Sequence, residues 1–328
     1  MPRAAGREEG TALLAVLLLV AVMAALSVMA LEKLRLSIHL AANGQAINQA
    51  RAYALGAEAI AAARVRDLAG RDPAMITLAG GWHGRPFRLT VPGGEVVARL
   101  TDGGNCFNLN SVAEGLVPTA LKQRPIGIEQ FVALMKSLDI REPEARRIAA
   151  SLADWIDEDG IVSPGGAEDG DYAQGSIPYR AANTLLADPS ELRAVAGVTP
   201  EIYALLRPWI CALPSTELSP INVNTLGEER SRLLMMLMPM QLDRERARQI
   251  IAARPPQGWG DLESFWRLPA LAALVPAMEV RDQAQLRSRW FLLDLDVALD
   301  GAQVSEAALI DGGLSPARVV FRRWGSDE

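Results

Sequence analysis

Seven carboxylates crowd one short stretch of this 328-residue chain: Asp154, Asp157, Glu158, Asp159, Glu168, Asp169 and Asp171, within DWIDEDGIVSPGGAEDGDYAQGSIPY. No lysine or arginine interrupts the stretch from Asp154 to Tyr179. Carboxylates so close repel one another unless water or a cation screens them. Gly160, Gly165, Gly166 and Gly170 let the backbone turn tightly enough to bring them together. Hard oxygen donors on a flexible loop suit Ca²⁺, which accepts six to eight oxygens in loose geometry. The spacing is not that of an EF-hand, since Asp157-x-Asp159-Gly160 would put Trp155 at the first ligand position. Composition alone leaves a solvated acidic loop equally open. A glycosidase-type acid pair has no sugar-stacking cleft to support it in the sequence.

The other reactive groups are sparse. His39 and His83 are isolated, and Cys106 and Cys211 stand 105 residues apart with no C-x-x-C spacing. That argues against a catalytic triad, a zinc site and a redox dithiol. The cysteines pair as a disulfide in an oxidising compartment or remain two structural thiols. The net charge of −6 repels phosphate backbones, so general nucleic-acid binding is not expected. Nothing here points to an enzyme.

The elements that must position the acidic loop begin with a membrane-length segment. Thr11 to Leu31 carries no charge and spans about 32 Å as a helix, close to one bilayer core. Arg3 and Arg7 in the polar residues before it favour a cytoplasmic start and a translocated remainder. No helix breaker follows until about Gly70. Ile47, Ala50, Ala54, Ala57 and Ala61 keep a 3-4-3-4 spacing, a small-residue stripe on the outer half of one long helix. Such a stripe is open to a neighbouring helix or to the protein's own sheet. PFRLTVPGGEVVARLT (86–101) reads as a hairpin, and 287–299, 304–311 and 317–324 as three further strands. A mostly helical stretch separates the two strand groups. It contains a near-repeat, FNLNSV (107–112) and INVNTL (221–226), whose Asn and Ser/Thr side chains are expected to cap helices. The paired helices that follow look SAM-like or helix-hairpin-helix-like. The turn MPMQLDRER (238–246) lacks the glycine that phosphate-binding hairpins use.

A short charged leader ending in Gly10, then an apolar helix start, then a long amphipathic helix resembles a type IV pilin or pseudopilin precursor. Pilins usually carry Phe and Glu at the first and fifth mature positions, where this chain has Thr11 and Ala15. That departure, together with QARAYALGAEAIAAA (49–63), the D-W-I-D-E-D and G-A-E-D segments and PYRAAN (178–183), is similar to the minor pseudopilin K family of the type II secretion system. The resemblance implies an α+β fold, a long N-terminal helix on an antiparallel sheet split by a helical insertion. It divides the chain into a leader (1–10), a transmembrane and amphipathic helix (11–69), a sheet domain (70–109 and 285–328) and an insertion (110–284) of two units, about 110–215 and 216–284.

The resemblance also implies a structural role at the tip of the pseudopilus, with I- and J-type minor pseudopilins as partners. The other pseudopilus subunits, the inner-membrane assembly platform and prepilin peptidase complete the expected partners. The peptidase would cut between Gly10 and Thr11 and methylate the new terminus. The chain would be single-pass in the inner membrane with its bulk in the periplasm. One or two calcium ions would lie among Asp154, Asp157, Asp159, Glu168, Asp169 and Asp171. The stripe from Ile47 to Ala61 would face partner helices. Alternatives are a type IV minor pilin or a membrane-anchored DNA-uptake or hydrolytic protein.

Overall fold

The computed structural model describes residues 8–115, 120–174, 177–239 and 241–325. Most of the expected leader, residues 1–7, lies outside them, and residues 8–10 form the first turn of helix α1 (Glu8–Arg71). At 1.5 Å per residue this 64-residue helix is about 96 Å long. Its most apolar 18-residue window has a mean hydropathy of 2.9 and no buried residue, long and apolar enough to cross a membrane. The leucines and valines between Leu13 and Leu40 project freely from the rest of the chain.

The outer half of α1 seats on an antiparallel sheet. Strands β1 (Pro86–Val91) and β2 (Gly94–Asp102) form the first hairpin. The insertion contributes two-residue strands: β3 (Phe107–Asn108), β4 (Ala113–Glu114), β5 (Lys122–Gln123), β6 (Ile210–Cys211), β7 (Ile221–Asn222) and β8 (Ala284–Gln285). The chain then returns as β9 (Trp290–Leu299), β10 (Ala302–Asp311) and β11 (Arg318–Trp324). The sheet order is β1-β2-β9-β10-β11, so β2 pairs directly with β9 across the whole insertion.

The stripe on α1 forms as the spacing requires, but its partner is this chain. Ala50 and Ala54 are fully buried, and Ala57 and Ala61 nearly so, beneath Leu293, Leu295, Val297, Ala308 and Ile310 of the sheet. This corrects the reading of those alanines as a surface for another helix: alanine lets α1 approach its own strands closely. Ile47, half-buried at the edge, is the stripe's one member not closed off. The large apolar residues left outward on this part of α1 are Leu55 and Ile60.

The insertion has its own core, running through both units from Phe107 to Ala284. Helices α2 (Pro125–Ser137) and α3 (Glu142–Ile156) build its first half, where Phe131 stacks on Phe107 at 4.8 Å. Each unit is closed by a short parallel pairing of its first and last residues, β3 with β6 and β7 with β8.

Candidate calcium centre and the joints that hold it

Helix α3 ends by carrying two acids into the interior. Asp154 is fully buried, and Asp157, the residue after its last turn, is 1% exposed. Their acidic loop then returns Glu168, 4% exposed, to the same place. One carboxylate oxygen each from Asp157, Asp159 and Glu168 lies within 4.8 Å of the others. A side chain far upstream ties the group together. Gln123 Nε2 stands 2.9 Å from both Asp154 Oδ1 and Asp157 Oδ2 and 2.6 Å from the Ser163 hydroxyl, its two hydrogens shared among the three acceptors. Ser163 N–H donates to Asp154 Oδ2 at 3.1 Å. Gly166 is required here, because a Cβ on it would sit 1.9 Å from that same oxygen.

The electrostatics are those of a site short of positive charge. Burial first, then neighbouring Asp159 and Asp154, push Asp157 up to about 6. Burial, then Asp154 and Asp157, push Glu168 up to about 7. Asp157 Oδ1 and Glu168 Oε1 are buried with no hydrogen-bond donor, and no lysine or arginine pairs with either acid among the described residues. Orphaned, converging oxygens of this kind fit a hard divalent cation.

The six expected ligands therefore divide. Asp157, Asp159 and Glu168 converge, with Asp154 held beside them by Gln123. Asp169 and Asp171 are engaged in local bonds instead. Asp169 Oδ1 accepts from Ala181 N–H, and Asp171 Oδ2 accepts from Glu168 N–H, which starts the one-turn helix α4 (Asp169–Tyr172). Gln123 and Ser163 have no sequence signal. Gln123 reaches the site because β4 and β5 pair antiparallel across the mouth of the first unit. Behind the loop, Trp155, Tyr172 and Tyr179 form a three-ring wall with centroids 5.1–6.1 Å apart.

Joints fix this unit to the sheet. Cys106 and Cys211 form a disulfide beside the β3–β6 pairing. The two N-x-N segments do more than the expected capping. In each, the first Asn accepts from the N–H two residues on: Asn108 from Asn110, and Asn222 from Asn224. The second Asn then clamps a remote residue by a two-way amide exchange, Asn110 with Leu186 and Asn224 with Trp259. The motif thus starts only a 3₁₀ turn in the first copy, and its side chains hold distant backbone. At the root of the insertion, buried Asp102 accepts from Thr225 and Ser288, while Asn105 bonds both Asn222 and Thr225.

Residues 105–215 and 221–285 match two families, each described as "Type II secretion system (T2SS), protein K". The type II secretion system protein K of Pectobacterium carotovorum subsp. carotovorum is 33% identical over 97% of both chains. That of Klebsiella pneumoniae is 35% identical, again over 97% of each. Among solved structures, a chain of the GspK-GspI-GspJ complex from enterotoxigenic Escherichia coli superposes with a TM-score of 0.75. It is 31% identical, with 86% of this chain and 98% of that one covered. Two family models across the insertion, relatives matched over nearly their whole length and a solved chain with the same fold agree, and the chain belongs to the type II secretion system protein K family.

Proposed function

We propose that this chain is a structural minor pseudopilin at the tip of a type II secretion pseudopilus, where it supports pseudopilus assembly and protein export. The observation that carries this is the shape of α1 and its load. The apolar half projects alone with membrane-crossing length, while the other half bears a sheet and a large insertion. A filament whose subunits rise by only about 10 Å, roughly seven helical residues, has no room to repeat such a head along its length. Ala15, in place of the usual glutamate, makes no demand on a subunit stacked above. Similarity to a chain crystallised with GspI and GspJ supports two other minor pseudopilins as partners. The anchor lies in the inner membrane with the head in the periplasm, after prepilin peptidase cuts between Gly10 and Thr11 and methylates the new terminus.

Calcium completes the head in this reading. Asp157, Asp159 and Glu168 would hold it, with Asp154 alongside. When bound, it supplies the positive charge that lets these buried acids stay ionised. Gln123, Ser163 and the Trp155–Tyr172–Tyr179 wall orient the loop in either case.

The test is co-purification of the full-length chain from membranes with the I- and J-type minor pseudopilins, together with counting of copies per filament. A stoichiometric ternary complex and about one copy per pseudopilus are expected. Many copies along the shaft, or no association with either partner, would overturn the tip assignment.

A further inference from the structure

The seat of α1 on the sheet contains one feature that packing does not require. Glu58 lies on the buried side of α1, 5% exposed, between the stripe alanines. Opposite it are Glu306 of β10, 2% exposed, and Arg322 of β11. The Arg322 guanidinium meets Glu58 in a two-pronged contact through Nε and Nη2. Its Nε stands 3.5 Å from Glu306 Oε1, beyond a normal hydrogen bond. Both carboxylate oxygens of Glu306 are buried and meet no donor. Two buried acids thus face one cation. The third element against Glu306, β9, offers apolar Leu295 directly opposite. Its neighbour Asp296 bonds Ser305, the residue beside Glu306 whose side chain points to the other face of the sheet. Among the described residues, Glu58 and Arg322 are therefore the charged groups that face Glu306 from the elements packed on it.

We propose that Glu58 and Glu306 share one proton, Glu306 donating it to Glu58, and that this proton locks the stem helix onto the head. An ionised pair would leave a net negative charge buried with too few donors, whereas one proton satisfies both acids. Burial and then Glu58 push Glu306 up to about 8, while Glu58, against the effect of its own burial, is held below its ordinary value by Arg322. The folded value of Glu306 lies above its ordinary 4.5, so by linkage the stabilisation is complete below about pH 4.5. It is lost as pH rises through about 8, by up to tenfold in the folding equilibrium per pH unit. Acid on the side of the membrane that holds the head tightens the stem–head seat, and alkali loosens it.

The experiment uses the full-length chain in detergent with saturating calcium, which holds the acidic loop constant. Thermal unfolding of wild type is compared with Glu306→Gln between about pH 5 and pH 9. The glutamine amide can donate to Glu58, so the variant is expected to fold and to lack the fall in melting temperature that wild type shows toward pH 9. In infrared spectra near pH 7, wild type should show a protonated-carboxyl band that Glu306→Gln lacks. Glu58→Gln is expected to flatten the profile in the same way. An identical pH profile in wild type and Glu306→Gln, or an infrared spectrum unchanged by the substitution, overturns the proposal. If Glu306→Gln fails to fold, Glu58→Gln decides: a band and a pH profile unchanged from wild type in that variant overturn the proposal.

Discussion

Asp157→Asn is expected to change the stability of this protein in opposite directions with and without calcium. In chelator, the folded state holds Asp157 at about 6 against an ordinary 3.8. Ionising the carboxyl at that higher value costs the folded state about 3 kcal/mol relative to the unfolded chain. The folded value is the higher one, so the favourable contribution is present below about pH 4 and is lost as pH rises through 6. Glu168 adds a parallel loss through about 7. Asparagine does not titrate. Its oxygen can still accept from Gln123 Nε2, and its amide nitrogen would take the place of the orphaned Asp157 Oδ1. Near pH 8 in chelator the variant should therefore exceed wild type by about 2–3 kcal/mol, roughly 3–6 °C in melting temperature for a chain of this size. Below pH 4 the gain should vanish. At a thousandfold excess of calcium over Kd the order should reverse, since wild type gains about 4.1 kcal/mol by mass action at the proposed site and the variant has lost one of its carboxylates. The assay is thermal unfolding followed by circular dichroism at both pH values, with chelator and with calcium. The reasoning is refuted if the variant is less stable than wild type in chelator near pH 8, or if its calcium response is undiminished.

Three further outcomes are expected. Non-reducing mass spectrometry should find no free thiol, and Cys106→Ser with Cys211→Ser should destabilise by up to ~4–5 kcal/mol in the chain-entropy model, because the bridge closes a ring of about 100 residues. Ala54→Arg should unfold the stem–sheet seat, whereas Leu55→Arg with Ile60→Arg should leave the melting temperature unchanged and weaken partner binding in pull-downs. Asn110→Ala and Asn224→Ala should each cost about 2–4 kcal/mol in chemical denaturation, since the first strands three buried backbone groups and the second two.

What the sequence disclosed follows from how local each signal is. The 64-residue helix was legible because apolar length and absence of breakers are local facts, and the expected strands fall within a few residues of β9, β10 and β11. The alanine stripe was legible as a close-packing face, but spacing says nothing of which chain fills it. Here the wide apolar face of β9 and β10 does so. The acidic loop announced its charge. Its division did not, because Asp169 and Asp171 are drawn off by turn bonds to Ala181 and Glu168 that depend on the finished backbone. Gln123 was invisible: a lone glutamine 31 residues before Asp154 acquires its role only when β4 and β5 pair.

The same contrast explains why the insertion can be so large without loosening the sheet. Its two ends enter and leave through Gly103 and Arg289, whose backbone groups bond Trp290 and Gly312. Between them, Asp102, Asn105, Asn222, Thr225 and Ser288 form one buried polar network that satisfies every member from three separate chain segments. A network of this kind stabilises only in one arrangement, since a half-made version leaves buried polar groups unpaired. The root therefore behaves as a weld rather than a hinge. The acidic loop belongs to a unit that is itself closed by a disulfide and a parallel strand pair. Whatever meets the head is accordingly held in a fixed orientation to the stem, as the proposed place at the end of a filament would require and a flexibly tethered binding module would not.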